Sequence, residues 1–390
     1  MIYGFTALFE PIARDFGWSY TQISFAASIR GMEMGLMAPL TGWLADRVGP
    51  RKLVFAGGVL MSAGLFLLSR MNSLGVFYLA FLLISLGMST CTWTVLMTAV
   101  ANWFLEKIGL ATGIAMCGFG FAGLMVPLLV TLIDRLSWRV ALLGVAVAAF
   151  VVISGLAFVF RHRPEQYGYL PDGKPPSAEP GALMLERRGY TTGQALRTVV
   201  FWQVSLAFIY HALSLNAIVI HLMPYLTSIG ITRSAAGLVA LAVPLTSVAG
   251  RLGFGWLGDR VDRSRVAALS FVLVGLGVAM FGLAATAGAW LLVPFFVLFG
   301  IGYGGTNAMR PALVREIFGR RNFGAIFGVS EGLIMIGNFA GPPIVGRYFD
   351  TLQTYQGIWF ILALAALVPV IALMTVKRPA ETGEPGLAAK

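Results

Sequence analysis

The chain has 390 residues, 58% of them hydrophobic and only 12% charged, with a mean hydropathy of +0.81 and a formal net charge of +11. Soluble enzymes run near ~25% charged residues, so this composition excludes that class and places the chain in a bilayer. The basic excess lies in short gaps between apolar runs, which excludes a nucleic-acid surface, and Cys91 and Cys117 sit inside apolar stretches as packing residues, not as a disulfide or metal site.

The first apolar piece, 1–9, is cut off by Glu10-Pro11 and would reach only ~14 Å as a helix at about 1.5 Å per residue. It lacks the charged n-region and cleavage site of a signal peptide, and the expectation is that the chain starts inside a truncated first membrane helix. A hydrocarbon core of ~30 Å takes ~20 helical residues. On that measure the uncharged runs predict eleven complete spans, over 22–44, 53–69, 74–101, 109–133, 140–160, 199–226, 234–257, 266–286, 290–315, 323–345 and 355–376. The uncharged run 266–309 is long enough to cross twice and turns near Ala287-Gly288-Ala289.

The stretch 161–198, rich in proline, glycine and charge, is predicted as a largely flexible linker that ends in a short interfacial helix near 192–198. It separates an N-terminal six-helix bundle, 1–160, from a C-terminal one, 199–390. Alternate loops carry 19 and 6 Lys or Arg residues, with Arg30, Arg251 and Arg310 left inside membrane runs. The richer side, which includes the linker and both chain ends, is expected to be cytoplasmic, in a bacterial inner membrane.

Gly42 to Val48, GWLADRV, returns as GWLGDRV at Gly255 to Val261, an offset of 213 residues. Each copy ends the second helix of its half, so the halves are parallel repeats. These two copies, GWLADRVGPRK and GWLGDRVDRSR, with the 6+6 plan, resemble the loop signature of the major facilitator superfamily. The resemblance covers the whole chain and implies its all-α twelve-helix fold and rocking, alternating-access transport. Asp46 and Asp259 fall where helices end, and Arg47, Arg51, Arg260 and Arg263 can pair with carboxylates or helix C-termini of the other bundle. Together with Gly42 they are the expected gate.

Within the superfamily, ANWFLEKIGLATGIAMCGFG (101–120), RPEQYGYLPDG (163–173) and HLMPYLTSIGI (221–231) resemble the monocarboxylate transporter and oxalate:formate exchanger branch. That resemblance implies that Arg251 on the eighth helix engages the substrate carboxylate, a role its planar fork suits. The chain departs from the branch twice. Ser247 stands where animal monocarboxylate transporters have an acidic residue, and Ile334 stands where the exchangers have a lysine. Loss of that second cation favours a monoanion over a dicarboxylate.

Arg30 and Glu33 lie three apart on one helix face, and Arg310 and Glu331 lie at similar depth. These four with Arg251 leave one positive charge without a protein partner, which a bound carboxylate supplies. His211 falls near the midplane, where an imidazole can carry the coupled proton. His221 lies ten residues on, about 15 Å along the helix and too far to share a metal. The expected substrate-binding residues are therefore Arg251, Ser247, His211, Asn216, Arg310 and Tyr3, with Arg30, Glu33 and Glu331 as an intramembrane charge network. Two G-x-G-x-x-G matches, at 118–123 and 300–305, open no helix after a strand and are helix-packing glycines. No enzymatic activity, cofactor, metal or nucleotide is expected.

The function expected is secondary transport of small organic monoanions, with protons, by a monomer in the lipid bilayer. The alternatives are the same fold carrying a drug, sugar or aromatic solute, an organic-anion exchanger, and a non-transporting receptor.

Overall fold

The computed structural model describes residues 6–91, 93–122, 125–173 and 189–376; Tyr3 and the side chain of Arg30 lie outside what it describes. The elements in order are α1 (Thr6–Phe16), α2 (Tyr20–Val48), α3 (Pro50–Ser69), α4 (Leu74–Cys91), α5 (Trp93–Trp103), α6 (Ile108–Ala122), α7 (Met125–Leu136), α8 (Trp138–Ala149) and α9 (Gly155–Ala157). After two short 3-10 turns at Pro164–Tyr167 and Pro171–Gly173 come α10 (Thr192–Leu196), α11 (Val199–Ser228), α12 (Arg233–Gly258), α13 (Arg263–Ala287), α14 (Leu292–Phe318), α15 (Phe323–Leu352), α16 (Gln356–Ala365) and α17 (Leu367–Met374). Among the described residues nine helical segments are long and apolar enough to cross a membrane. The 29-residue α2 and the α6–α7 pair occupy the other two predicted positions.

Helix starts are written locally. Ser19 and Gln22 form a reciprocal capping box at α2, and Thr198, Thr232 and Asp262 accept from the third residue of α11, α12 and α13. Between α2 and α3 the chain turns at Gly49, φ 89°, followed by Pro50 at the first helical position.

Two expectations are corrected. The first apolar piece does not stop at Glu10-Pro11, because α1 runs through Pro11 to Phe16. Leu8 and Ile12 are fully buried, in the cluster that also holds Ile23, Ala26 and Leu65, and the Trp138 indole donates to Asp15 at 2.7 Å; a membrane helix tolerates the one bond that proline loses. Nor is the linker slack at the described positions on either side of 174–188. Asp172 accepts from the backbone N–H of Leu105, Glu106 and Lys107 at 2.9–3.5 Å, and Tyr190 N donates to Phe318 O at 2.9 Å.

Buried residues of the first 160 form clusters around Phe77, Phe81 and Leu65 and around Val54 and Val95. A third cluster, built on the stacked rings of Phe281, Phe295 and Phe299 with Trp359 edge-on to Phe281, includes Met97, Ala101 and Ile108 from the first half among its described buried residues. Apolar residues on the outside, such as Val151 (63% exposed) and Leu364 (68%), face the hydrocarbon, where exposure costs nothing. Helix contact then depends on close packing and small residues.

Candidate transport pathway and gate

The two repeated aspartates hold the linker face together. A helix leaves its first four N–H groups without intrahelical partners, and at α15 the N-cap residue, Asn322, makes no side-chain cap. Asp46, from the end of α2, supplies it: its two oxygens accept from Gly324 N and Ala325 N, each at 2.9 Å. At α6 the preceding residue is Lys107, which has no acceptor. Asp259, from the end of α12, takes Gly109 N and Leu110 N at 2.8 Å. Each bond pair joins opposite halves of the chain and puts a negative charge on a helix N-terminus, its favourable end.

Backbones meet beside these caps. A Cβ on Gly42 would clash with the Gly324 carbonyl, and one on Gly109 or Gly113 would clash with the carbonyls of Gly255 and Arg251. The side toward the linker is therefore closed in this structure.

The arginines behave less uniformly than expected. Arg47 lies over Trp43 at 4.4 Å, Arg260 over Trp256 at 4.0 Å and Arg51 over Phe158 at 5.0 Å, all within their own half. Of these four, Arg263 reaches across: it pairs with Glu316 at 3.2 Å and Asp259 at 3.6 Å and donates to Leu105 O at 3.2 Å, past the end of α5. Residues not anticipated from the sequence reinforce the seam. Arg315 Nε donates to Ala101 O at 3.1 Å. Arg320 grips both oxygens of Glu165 in the linker, its Nη2 at 2.8 Å, and Asn102 accepts from Arg320 Nε and donates to His162 O. Burial pushes the Glu165 carboxyl up, but the hydrogen-bonded Arg320 guanidinium, with the charge of Arg163, holds it below the usual carboxylate range. Burial, with the charges of Arg163 and Arg320, holds the His162 imidazole below its usual value.

Deeper in the span, α12 carries Arg251, only 5% exposed. Its Nη1 donates to the Met116 carbonyl of α6 at 2.7 Å, its guanidinium lies over Tyr303 at 5.8 Å, and its Nε has no hydrogen-bond partner. No described carboxylate lies within ion-pair reach of it. His211 stacks on the same Tyr303 ring at 5.4 Å and bonds Thr306 at 3.0 Å. Tyr303, Thr306 and Arg310 share one face of α14, at helical spacing. Arg310 pairs with Glu331 of α15 at 2.5 Å and packs on Phe208 and Phe327, and the Trp93 indole of α5 donates to the same Glu331 oxygen.

The structure thus gathers Arg251 and His211 around Tyr303, with the Arg310–Glu331 pair further along α14. Others stand apart. Ser247 is fully buried, its hydroxyl turned back on Pro244 O at 2.6 Å. Asn216 donates to Asn338 at 2.7 Å and ties α11 to α15. Glu33 accepts from Ser89 at 3.0 Å. His221 braces Pro342 O at 3.0 Å, and Ile334 is buried in the core. Tyr303, Thr306 and Trp93 carry no charge pattern by which the sequence could single them out.

The Major Facilitator Superfamily profile matches residues 1–232 and 214–390. The chain is 28% identical to monocarboxylate transporter 12-B of Danio rerio, over 94% of this chain and 81% of that protein. It is 23% identical to the oxalate:formate antiporter of Oxalobacter formigenes, over 95% and 88%. In fold it is similar to the E. coli fucose:proton symporter FucP, TM-score 0.71 at 15% identity over 95% and 94% of the two chains. It is similar also to the human organic anion transporter MFSD10, TM-score 0.69 at 14% identity over 95% and 89%. With nine helices long and apolar enough to cross a membrane among the described residues, buried charge along the inner helices and a match to the family over the whole chain, this protein is a multi-pass membrane protein of the major facilitator superfamily, a family of transporters and not of enzymes.

Proposed function

We propose that the chain is a proton-coupled transporter of small monocarboxylates, working by alternating access between the bundles 1–160 and 199–390. One observation carries the reading: a guanidinium, Arg251, is buried in the membrane span with a backbone carbonyl as its hydrogen-bond acceptor and no carboxylate partner among the described residues. A buried charge in a bilayer is costly until it is paired, and a substrate carboxylate is the missing anion, one that the guanidinium fork binds through two hydrogen bonds. The buried, apolar Ile334 offers no second cation for a dicarboxylate.

On the basic-residue asymmetry we place the linker face in the cytoplasm, so that the closed gate of Asp46 and Asp259 gives a state open or occluded toward the other side. Substrate bound at Arg251 replaces the Met116 carbonyl that ties α12 to α6, which loosens one contact between the halves and favours the opposite state.

The test is uptake of labelled L-lactate, pyruvate or formate into proteoliposomes under an imposed pH gradient. Saturable uptake driven by inward proton flow is expected. Transport of none of these anions would overturn the reading. Uptake that follows only an opposing anion gradient would favour the second reading, an organic-anion exchanger, which the similarity to the oxalate:formate antiporter supports.

A further inference from the structure

Symport requires a titratable group whose protonation is felt by both bundles, and the intramembrane groups differ sharply in what they touch. His211 of α11 bonds Thr306 and stacks on Tyr303, both on α14 of its own half. Glu33 of α2 meets Ser89 of α4, also within its own half. Ser247 is not titratable. Glu331 alone among the described intramembrane acids and histidines contacts both halves, through the Arg310 guanidinium of α14 and the Trp93 indole N–H of α5.

We propose that Glu331 is the proton-binding site of the transport cycle, resting on the proton-coupled reading above. The charged and titratable groups around it are Arg310 on α14, His211 on α11, which bonds Thr306 one turn before Arg310, and Glu33 on α2, which is engaged by Ser89. Arg251 on α12 has its own acceptor, Met116 O.

A proton that binds Glu331 forms an O–H bond on the carboxylate and removes the anion that Arg310 and Trp93 share. Two consequences follow. The link from Trp93 across the halves weakens, so proton binding and separation of the halves are thermodynamically linked. Arg310 also loses its counter-charge while its Nε has no hydrogen-bond partner, and the monoanion that binds Arg251 restores the net charge of the buried groups. One proton and one monoanion then bind with no net change in charge, the stoichiometry of electroneutral symport.

The experiment uses the full chain with L-lactate as probe. Proton uptake on lactate addition is followed with a pH dye in weakly buffered detergent solution, and counterflow and pH-driven accumulation are measured in proteoliposomes. In Glu331→Gln, which mimics the protonated acid, lactate counterflow should persist while proton uptake and uphill accumulation fall at least tenfold. Glu331→Asp, which keeps the acid on a shorter arm, should retain accumulation with a displaced pH midpoint, and it carries the test if the Gln variant does not fold. Wild-type accumulation in Glu331→Gln, or coincident pH profiles for the wild type and Glu331→Asp, would overturn the assignment. Failure of the wild type to bind lactate, pyruvate or formate would instead overturn the functional reading on which it rests.

Discussion

Asp46 and Asp259, 213 residues apart, make the same pair of bonds: each carboxylate ends one helix and caps the first turn of another helix in the opposite half, at 2.8–2.9 Å. The equivalence explains why GWLADRV and GWLGDRV are both present. The aspartate carries the cap, and the glycine before it lets the two helices approach closely enough for the cap to reach.

Asp46→Asn and Asp259→Asn each keep one acceptor oxygen and lose the charge on the helix N-terminus, a loss of about 1–2 kcal/mol per site. That amounts to roughly a fivefold to thirtyfold shift from the state closed on the linker face toward the open one. Substrate affinity measured in the open state should change little. Spin labels on the linker-side ends of α2 and α15 should report a longer distance in the variants; an unchanged distribution together with lost binding would place these residues in the binding site.

Gly42→Ala attacks the same seam without touching charge. The new methyl meets the Gly324 carbonyl, and relieving such overpacking costs about 1–3 kcal/mol. Because the clash exists only while α2 and α15 touch, cysteines placed beneath the gate should react faster from the linker side. Unaltered labelling rates would show that the helices can shift without opening.

Arg251→Lys retains the positive charge and loses the bidentate fork, so the half-saturation concentration for L-lactate should rise about tenfold, as the loss of one charge-assisted hydrogen bond predicts. Arg251→Gln should reduce transport to background. Normal lactate uptake by a correctly folded Gln variant would remove Arg251 from the site.

Glu165→Gln releases the linker clamp on Arg320. Because the Glu165 carboxyl titrates below its ordinary range, its contribution to the closed form is fully present above the ordinary glutamate range and is lost as pH falls through the lower native value. Across neutral pH the wild-type clamp should therefore be insensitive to pH, and Glu165→Gln should increase proteolytic cleavage within 161–173 at all neutral pH values. Equal cleavage of wild type and variant would show that Asp172 and Asn102 hold the segment without it.

The legibility of this chain follows from the range of each interaction. The helical membrane fold and the nine spans found among the described residues are readable in the sequence, because hydropathy and helix caps act within a turn or two of one residue. The readable signals misled at two places for one reason. Pro11 and the proline- and glycine-rich 163–173 look like breaks, yet distant partners, Trp138 in one case and the N–H groups of 105–107 in the other, hold them in order.

The sequence by itself determined that this is a bilayer protein of two repeated halves, with an aspartate in each copy of the repeated motif and an excess of positive charge in the span. Only the tertiary structure decided what those groups meet. The partners of Asp46 and Asp259 are backbone N–H groups, which every non-proline residue carries and no pattern marks. Whether Arg310 belongs to substrate or to Glu331, and whether Glu331 also belongs to Trp93 of the other half, depends on three helices converging within a few ångströms. That convergence arises from packing among residues up to 238 positions apart, and local sequence carries no record of it.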